Sequence, residues 1–230
     1  MFELHGFGPA LIEGTWMTIR LSLASVALGL LLGLLGASAK ISDNTLVRGV
    51  GGFYTSVVRG IPETLWVLLA YYGTTSIFNY LGSFFGNPYL TLSPFIAGTL
   101  ALGLCFGAYA TEVFRGALLA IPSGQKEAGL ALGMSRTRIF WRITLPQLWR
   151  VALPGLGNLY LILLKDTALV SLISLEEIMR KAQFAANATK EPFTFYFMAA
   201  LIYLGLTVII MAALHVFERR ANRGFVRTEL

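Results

Sequence analysis

Cysteine and histidine are nearly missing from this sequence: Cys105 is the only thiol, and His5 and His215 stand far apart. One cysteine excludes a disulfide framework, and no Cys/His spacing of metal-site type is present. Each histidine reads as an interfacial or packed side chain rather than a ligand. Charge is also scarce, at 13% of residues. No GxxxxGK[ST] phosphate loop occurs, so nothing here could hydrolyse ATP by that route. Nor is there a carboxylate pair, a nucleophile with its base, or a metal-ligand cluster near the end of an apolar run, which argues against an enzyme. The opening residues, MFELHGFGPALIEGT, have neither a basic n-region nor a small-residue cleavage site, so the first apolar segment itself is expected to target the chain.

What the sequence has in excess is apolar length. Hydrophobic residues make up 56% of it, and several runs approach the ~20 residues that cross a bilayer as a helix. The expectation is an all-α integral membrane protein, one transmembrane domain over residues 1–230 with five transmembrane helices at about 16–39, 64–81, 94–114, 153–174 and 193–217. The net charge of +6 does not point to nucleic acid, because the basic residues cluster at the ends of apolar runs instead of forming a reading face. Lys40, Arg48 and Arg59 follow the first span, six more lie from Arg115 to Arg150, and four from Arg219 to Arg227. The other side has none before Trp16, none between Asn79 and Ser93, and three (Arg180, Lys181, Lys190), whose charge Glu176, Glu177 and Glu191 offset. The positive-inside rule then places the amino terminus outside and the carboxy terminus in the cytoplasm.

Within the spans a few residues break the apolar pattern. Gly29 and Gly33 form a GxxxG pair in the first, with Gly36 one turn on; they either let another helix approach closely or reflect the general tolerance of glycine in membrane helices. Pro62 suits the first turn of the second span, and Arg59 and Glu63 are close enough to pair across it. Glu112 and Arg115 lie one turn apart at the end of the third, as a structural ion pair or as groups near a pathway. The fourth opens on Leu153-Pro154-Gly155-Leu156-Gly157-Asn158 and carries Lys165-Asp166 roughly 18 Å further along, past the middle of a ~30 Å hydrocarbon core. Ionisable residues there either line a pathway or hold helices together. Asn158, Ile162 and Lys165 share one helix face, with Asp166 on its flank. Five spans are too few to surround a pathway, so a mate is expected, and the small-residue stripe of the first span offers it close packing.

The polar stretch Ser123 to Pro146, SGQKEAGLALGMSRTRIFWRITLP, is expected to lie in water. Ser123 can cap a helix, with Glu127 in its first turn and Ala128, Ala131 and Leu132 as a small apolar stripe. Gly133 can end that helix in the left-handed conformation. Ser135 can cap a second one, with Ile139, Phe140 and Ile143 on one side and Arg138 and Arg142 on another, and Pro146 closes the unit. A lipid-surface helix pair would read similarly.

Glu127-Ala128-Gly129, then Gly133, then Ile143-Thr144-Leu145-Pro146 resemble the EAA motif, EAA-x3-G-x9-I-x-LP, of ABC importer permeases. Gly129 replaces its second alanine. RGIPE, GAYATEVFRGAL and IPSGQ resemble the polar amino acid permeases, and LPGLGNLYLILLKDTALVSLISLEEI resembles those for arginine, histidine and opines. Leu159 departs from the polar residue that many relatives carry there. The resemblance implies a type I ABC importer permease fold in a bacterial inner membrane, with cytoplasmic coupling helices between spans 3 and 4 in which Glu127, Ala128, Gly133, Ile143, Leu145 and Pro146 meet the ATPase. It implies alternating access driven by two cytoplasmic ATPase subunits that hold ATP and Mg, this chain binding no cofactor. It also implies a second permease, identical or similar, and an external amino-acid-binding protein. Asn158, Lys165, Asp166 and Glu112 are the candidate pathway residues for a polar, basic amino acid. The competing reading is a secondary transporter driven by an ion gradient, with Lys165 and Asp166 as a proton relay; five short spans give it little room.

Overall fold

A computed structural model describes residues 4–84 and 92–221, and every regular element among them is helical. The helices are α1 (Gly8–Lys40), α2 (Thr45–Gly60), α3 (Glu63–Leu68), α4 (Thr74–Phe84), α5 (Pro94–Ala120), α6 (Ser123–Ala131), α7 (Arg136–Ile139), α8 (Leu145–Asp166), α9 (Ile178–Thr189) and α10 (Pro192–Ala221). Among the described residues, four helical runs are long and apolar enough to cross a membrane: Gly8–Lys40, Pro94–Ala120, Arg136–Ile173 and Pro192–Ala221. The expected second span falls on α3 and α4, which a π-helical segment, Leu69–Gly73, joins into one run that is not among those four. Hydroxyls accompany that wide turn. Thr75 Oγ1 donates to the Tyr71 carbonyl at 2.7 Å and Ser76 Oγ to that of Tyr72 at 2.9 Å, a back-bonding pattern that bends helices. Part of the stretch expected between Asn79 and Ser93, and Arg223 and Arg227 of the basic tail, lie outside the described residues.

Helix α5 is the centre of the molecule. Its Leu102, Phe106, Ala110 and Phe114 are buried with Leu21 and Ala37 of α1 and with Leu148, Ala152, Leu156 and Leu163 of α8. The glycine stripe of α1 faces it. A Cβ on Gly29 would stand 2.5 Å from Phe106 Cδ1 and one on Gly33 2.7 Å from the Ala110 Cβ, while Gly103 and Gly107 of α5 return the fit against Leu28 and Leu32 at 2.8 Å. The two backbones are at a separation that only glycine permits. The stripe is therefore filled within the chain, and the expectation that it offers packing to a mate is corrected: α5 already occupies it.

A second cluster ties α9 to the start of α1 and of α10 through Leu11, Ile178, Ala182, Phe195 and Ala199. The rest of α10 is largely exposed, with Leu204, Val208, Ile209 and Met211 outward, as suits a helix bathed in lipid.

Between α5 and α8 the polar stretch forms the expected pair of short helices, with four corrections. Pro122, not Ser123, stands at the cap position of α6, without a side-chain hydrogen bond. Glu127 falls beyond the first turn, which has no acidic residue. Ala128, Ala131 and Leu132 are exposed, and the buried residue is Gly129. Pro146 does not close the unit, because the helix runs on from Arg136 to Ile173. Proline lacks an N–H and its ring presses on the carbonyl four residues back. The chain accommodates this by widening at Phe140–Thr144, where the Leu145 N–H reaches back to the Phe140 carbonyl.

Candidate functional site

Where α3, α5 and α8 meet, a cavity of about 210 Å³ is lined by Glu63, Cys105, Phe106, Tyr109, Leu159, Ile162 and Asp166, with Leu102 and Leu163 behind. Two acidic residues and one tyrosine line an otherwise apolar space, and among the described residues no cationic side chain lines it. Glu63 reaches it from the first turn of α3, at the helix N-terminus, where a carboxylate suits the dipole. Tyr109 on α5 donates its hydroxyl to Glu63 Oε1 at 3.1 Å. The Arg59 guanidinium lies over the same ring, 5.2 Å from its centroid. Arg59 and Glu63 form no ion pair among the described residues, contrary to expectation; Tyr109 stands between them and engages both.

Beside this cavity, sharing Tyr109, is a shallow basin formed by Lys40, Thr55, Ser56, Arg59, Gly60 and Glu112. The expected pair is present, Glu112 Oε2 lying 2.9 Å from Arg115 Nε. Lys40, from the last turn of α1, also pairs with Glu112, and its Nζ donates to Thr55 Oγ1 of α2 at 3.0 Å. Tyr54 adds a hydrogen bond to the Leu104 carbonyl at 2.8 Å. Three helices are thus pinned together at this end.

The other candidate pathway residues do not converge on the cavity. Asn158 lines a separate shallow pocket with His215, Glu218 and Pro154, on the side of α10. Lys165 is exposed and forms no ion pair with Asp166 among the described residues. Asn158, Ile162 and Lys165 do share an exposed face of α8. Leu159 puts an apolar wall on the cavity.

The turn between α6 and α7 is built as a Schellman motif. Gly133 has φ +74, its N–H donates to the Leu130 carbonyl at 2.9 Å and the Met134 N–H to that of Gly129 at 3.0 Å. Ser135 then caps α7, accepting from the Arg138 N–H at 3.3 Å. Gly129 explains the departure from the motif. A Cβ there would stand 2.9 Å from Ile139 Cγ1 and 3.1 Å from Ile143 Cδ1, so the missing methyl lets the second helix seat on the first. Ile143 and Leu145 are half-buried, while Glu127, Ala128 and Pro146 are exposed, as are Leu130, Leu132 and Trp141. Lys126, Arg136 and Arg138 are exposed on the same two short helices.

Sequence reasoning passed over Glu177, which it treated as one of three charges offsetting a basic loop. Glu176 does pair with Lys181 at 2.7 Å, and Lys181 reaches Glu13; this holds the Glu176 carboxyl below its ordinary range. Glu177 instead is wholly buried. It caps α9, accepting from the N–H groups of Met179 at 2.9 Å and Arg180 at 2.8 Å and from the Tyr203 hydroxyl at 2.9 Å. Burial pushes this carboxyl up to about 7, the three donors pulling the other way. Glutamate is not among the preferred cap residues, so residue type gave no signal of this role.

Comparison with known proteins places this arrangement in context. A family profile described as binding-protein-dependent transport system inner membrane component matches residues 26–223. The histidine/lysine/arginine/ornithine transport system permease protein HisQ of Escherichia coli is 39% identical over 227 residues, 99% of this chain and 100% of its own length. The octopine transport system permease protein OccQ of Rhizobium meliloti is 42% identical over 231 residues, 98% of each chain. Among solved structures, an amino acid ABC transporter with histidines is similar at 32% identity and a TM-score of 0.78, over 92% of this chain and 94% of that one.

Proposed function

Because this chain belongs to the family of binding-protein-dependent transport system inner membrane components, we propose that it is the translocating subunit of an ATP-driven importer that carries a basic amino acid by alternating access. The family is one of ABC transporter permease subunits rather than enzymes, and it implies an ATPase and a binding protein as partners. ATP and Mg would be held by two ATPase subunits on the α6–α7 side. That side would be cytoplasmic, with the amino terminus outside, in agreement with the basic residues at this end. The outward apolar and basic surface of α6–α7 would be the coupling surface, with Glu127 and Ala128 facing the ATPase.

The observation that carries the substrate class is that Glu63 and Asp166 share one apolar cavity that, among the described residues, no cationic side chain lines. Two carboxylates in a low-dielectric space favour a positively charged guest. Asn158 and Lys165 would complete the path only from the exposed face of α8, alongside a second permease, where a lysine suits the α-carboxylate of a zwitterion. No observation favours the ion-gradient alternative.

The test is competition for labelled arginine uptake in proteoliposomes holding permease, ATPase and binding protein. Lysine, ornithine and histidine are expected to compete, and glutamate and leucine to fail. Glu63→Gln and Asp166→Asn should each lower uptake while the ATPase remains bound. Equal competition by glutamate, or unchanged uptake in both variants, contradicts the assignment.

A further inference from the structure

Tyr109 belongs to two spaces at once. Its side chain lines both the cavity of Glu63 and Asp166 and the basin of Lys40, Arg59 and Glu112. Along α5 the cavity residues Leu102, Cys105 and Phe106 come before it and Glu112 of the basin after it, so it stands at the boundary on the side that leads to α6. Two contacts hold it there: the hydroxyl on Glu63 Oε1 at 3.1 Å, and the Arg59 guanidinium 5.2 Å from its ring centroid. Arg59 and Glu63 are not on α5. They flank the Gly60-Ile61-Pro62 joint between α2 and α3, where a Cβ on Gly60 would meet nothing within 4 Å. The ring and its two holders therefore ride on different helices, and the ring's helix continues through Ile121 and Pro122 into α6.

We propose that Arg59, Tyr109 and Glu63 form a latch that shuts the acidic cavity from the basin on the α6–α7 side, with Tyr109 as the door. This rests on the importer reading above, in which a substrate in the cavity leaves past that boundary. A sliding of α5 against the α2–α3 joint parts the ring from both holders together. The exit then passes from two carboxylates into a basin of mixed charge, with Lys40 and Arg59 beside Glu112.

Cys105 provides the probe, since it is the chain's only cysteine, is buried, and lines the cavity. The assembled transporter is placed in vesicles of either orientation and exposed to a membrane-impermeant methanethiosulfonate. The label on this chain is followed by mass. Tyr109→Ala is expected to raise the labelling rate from the α6–α7 face about tenfold and leave the rate from the opposite face unchanged. Tyr109→Phe and Arg59→Gln each remove one holder and should raise it a few-fold. Wild-type rates in all three variants overturn the latch, as does equal acceleration from both faces, which would mean a loosened helix. Should Tyr109→Ala fail to assemble, the two milder variants decide. Arginine uptake by wild-type vesicles is measured on the same preparations. If that is absent, the importer reading fails, while the labelling rates still judge the latch.

Discussion

Replacing Gly133 by valine should uncouple the two short helices from the ATPase without removing the protein from the membrane. The residue sits at φ +74, and a Cβ there would meet nothing within 4 Å. The cost is therefore in the backbone and not in packing. Forcing an L-residue into the left-handed region costs about 1–2 kcal/mol, more for a β-branched side chain. That is roughly a tenfold loss in population of the turn, or somewhat more. When the turn opens, the carbonyls of Leu130 and Gly129 lose their donors and Ile139 leaves its seat against Gly129. Asparagine tolerates the same conformation, so Gly133→Asn should keep most of the function. The assay is pull-down of the ATPase, its hydrolysis rate and amino acid uptake on one preparation. Gly133→Val should release the ATPase or let it hydrolyse ATP without uptake. Normal binding and transport by Gly133→Val would refute the reasoning and favour α6–α7 as a lipid-surface element.

Gly33→Leu should prevent assembly of the helical core, costing several kcal/mol, because even a Cβ would lie 2.7 Å from that of Ala110; a normal yield of monodisperse protein would contradict this. Glu177 should make stability fall as pH rises. Its carboxyl is pushed up to about 7 by burial, from an ordinary 4.5, so between those values the folded chain holds a proton that the unfolded chain has lost. The difference is on the order of 3 kcal/mol, complete below pH ~4.5 and lost above pH ~7. Thermal unfolding in detergent from pH 5 to 8 should show this decline in wild type and a flatter profile in Glu177→Gln; parallel profiles would contradict it. The chain should also work as a dimer of permeases, checked by crosslinking and mass measurement of the reconstituted transporter, and a functional monomer would refute it.

What was legible in the sequence was local. Gly133 and Ser135 announce a left-handed stop and a cap by residue type alone, and Glu112 and Arg115 pair because a helix puts residues three apart on one side. The long-range partners were not, since they depend on how helices rotate and cross. Lys40 reaches Glu112 from another helix. Tyr109 intercepts a pair that spacing alone assigned to Arg59 and Glu63. Asn158 and Asp166, eight residues apart on α8, open into different pockets. Gly129 was only a departure from the motif until the position of Ile139 gave it a reason. Glu177 read as one of three charges offsetting basic neighbours, whereas its cap geometry and Tyr203, which come from α9 and α10, enclose it.

The central claim is that this chain moves a basic amino acid with energy taken from a bound ATPase. The most direct measurement is labelled arginine uptake by proteoliposomes holding the permease, its ATPase and the binding protein, with ATP supplied on the α6–α7 side. Uptake should require both ATP and binding protein and should persist when a protonophore collapses the proton gradient. Uptake that continues without ATP and stops with the gradient would contradict the account.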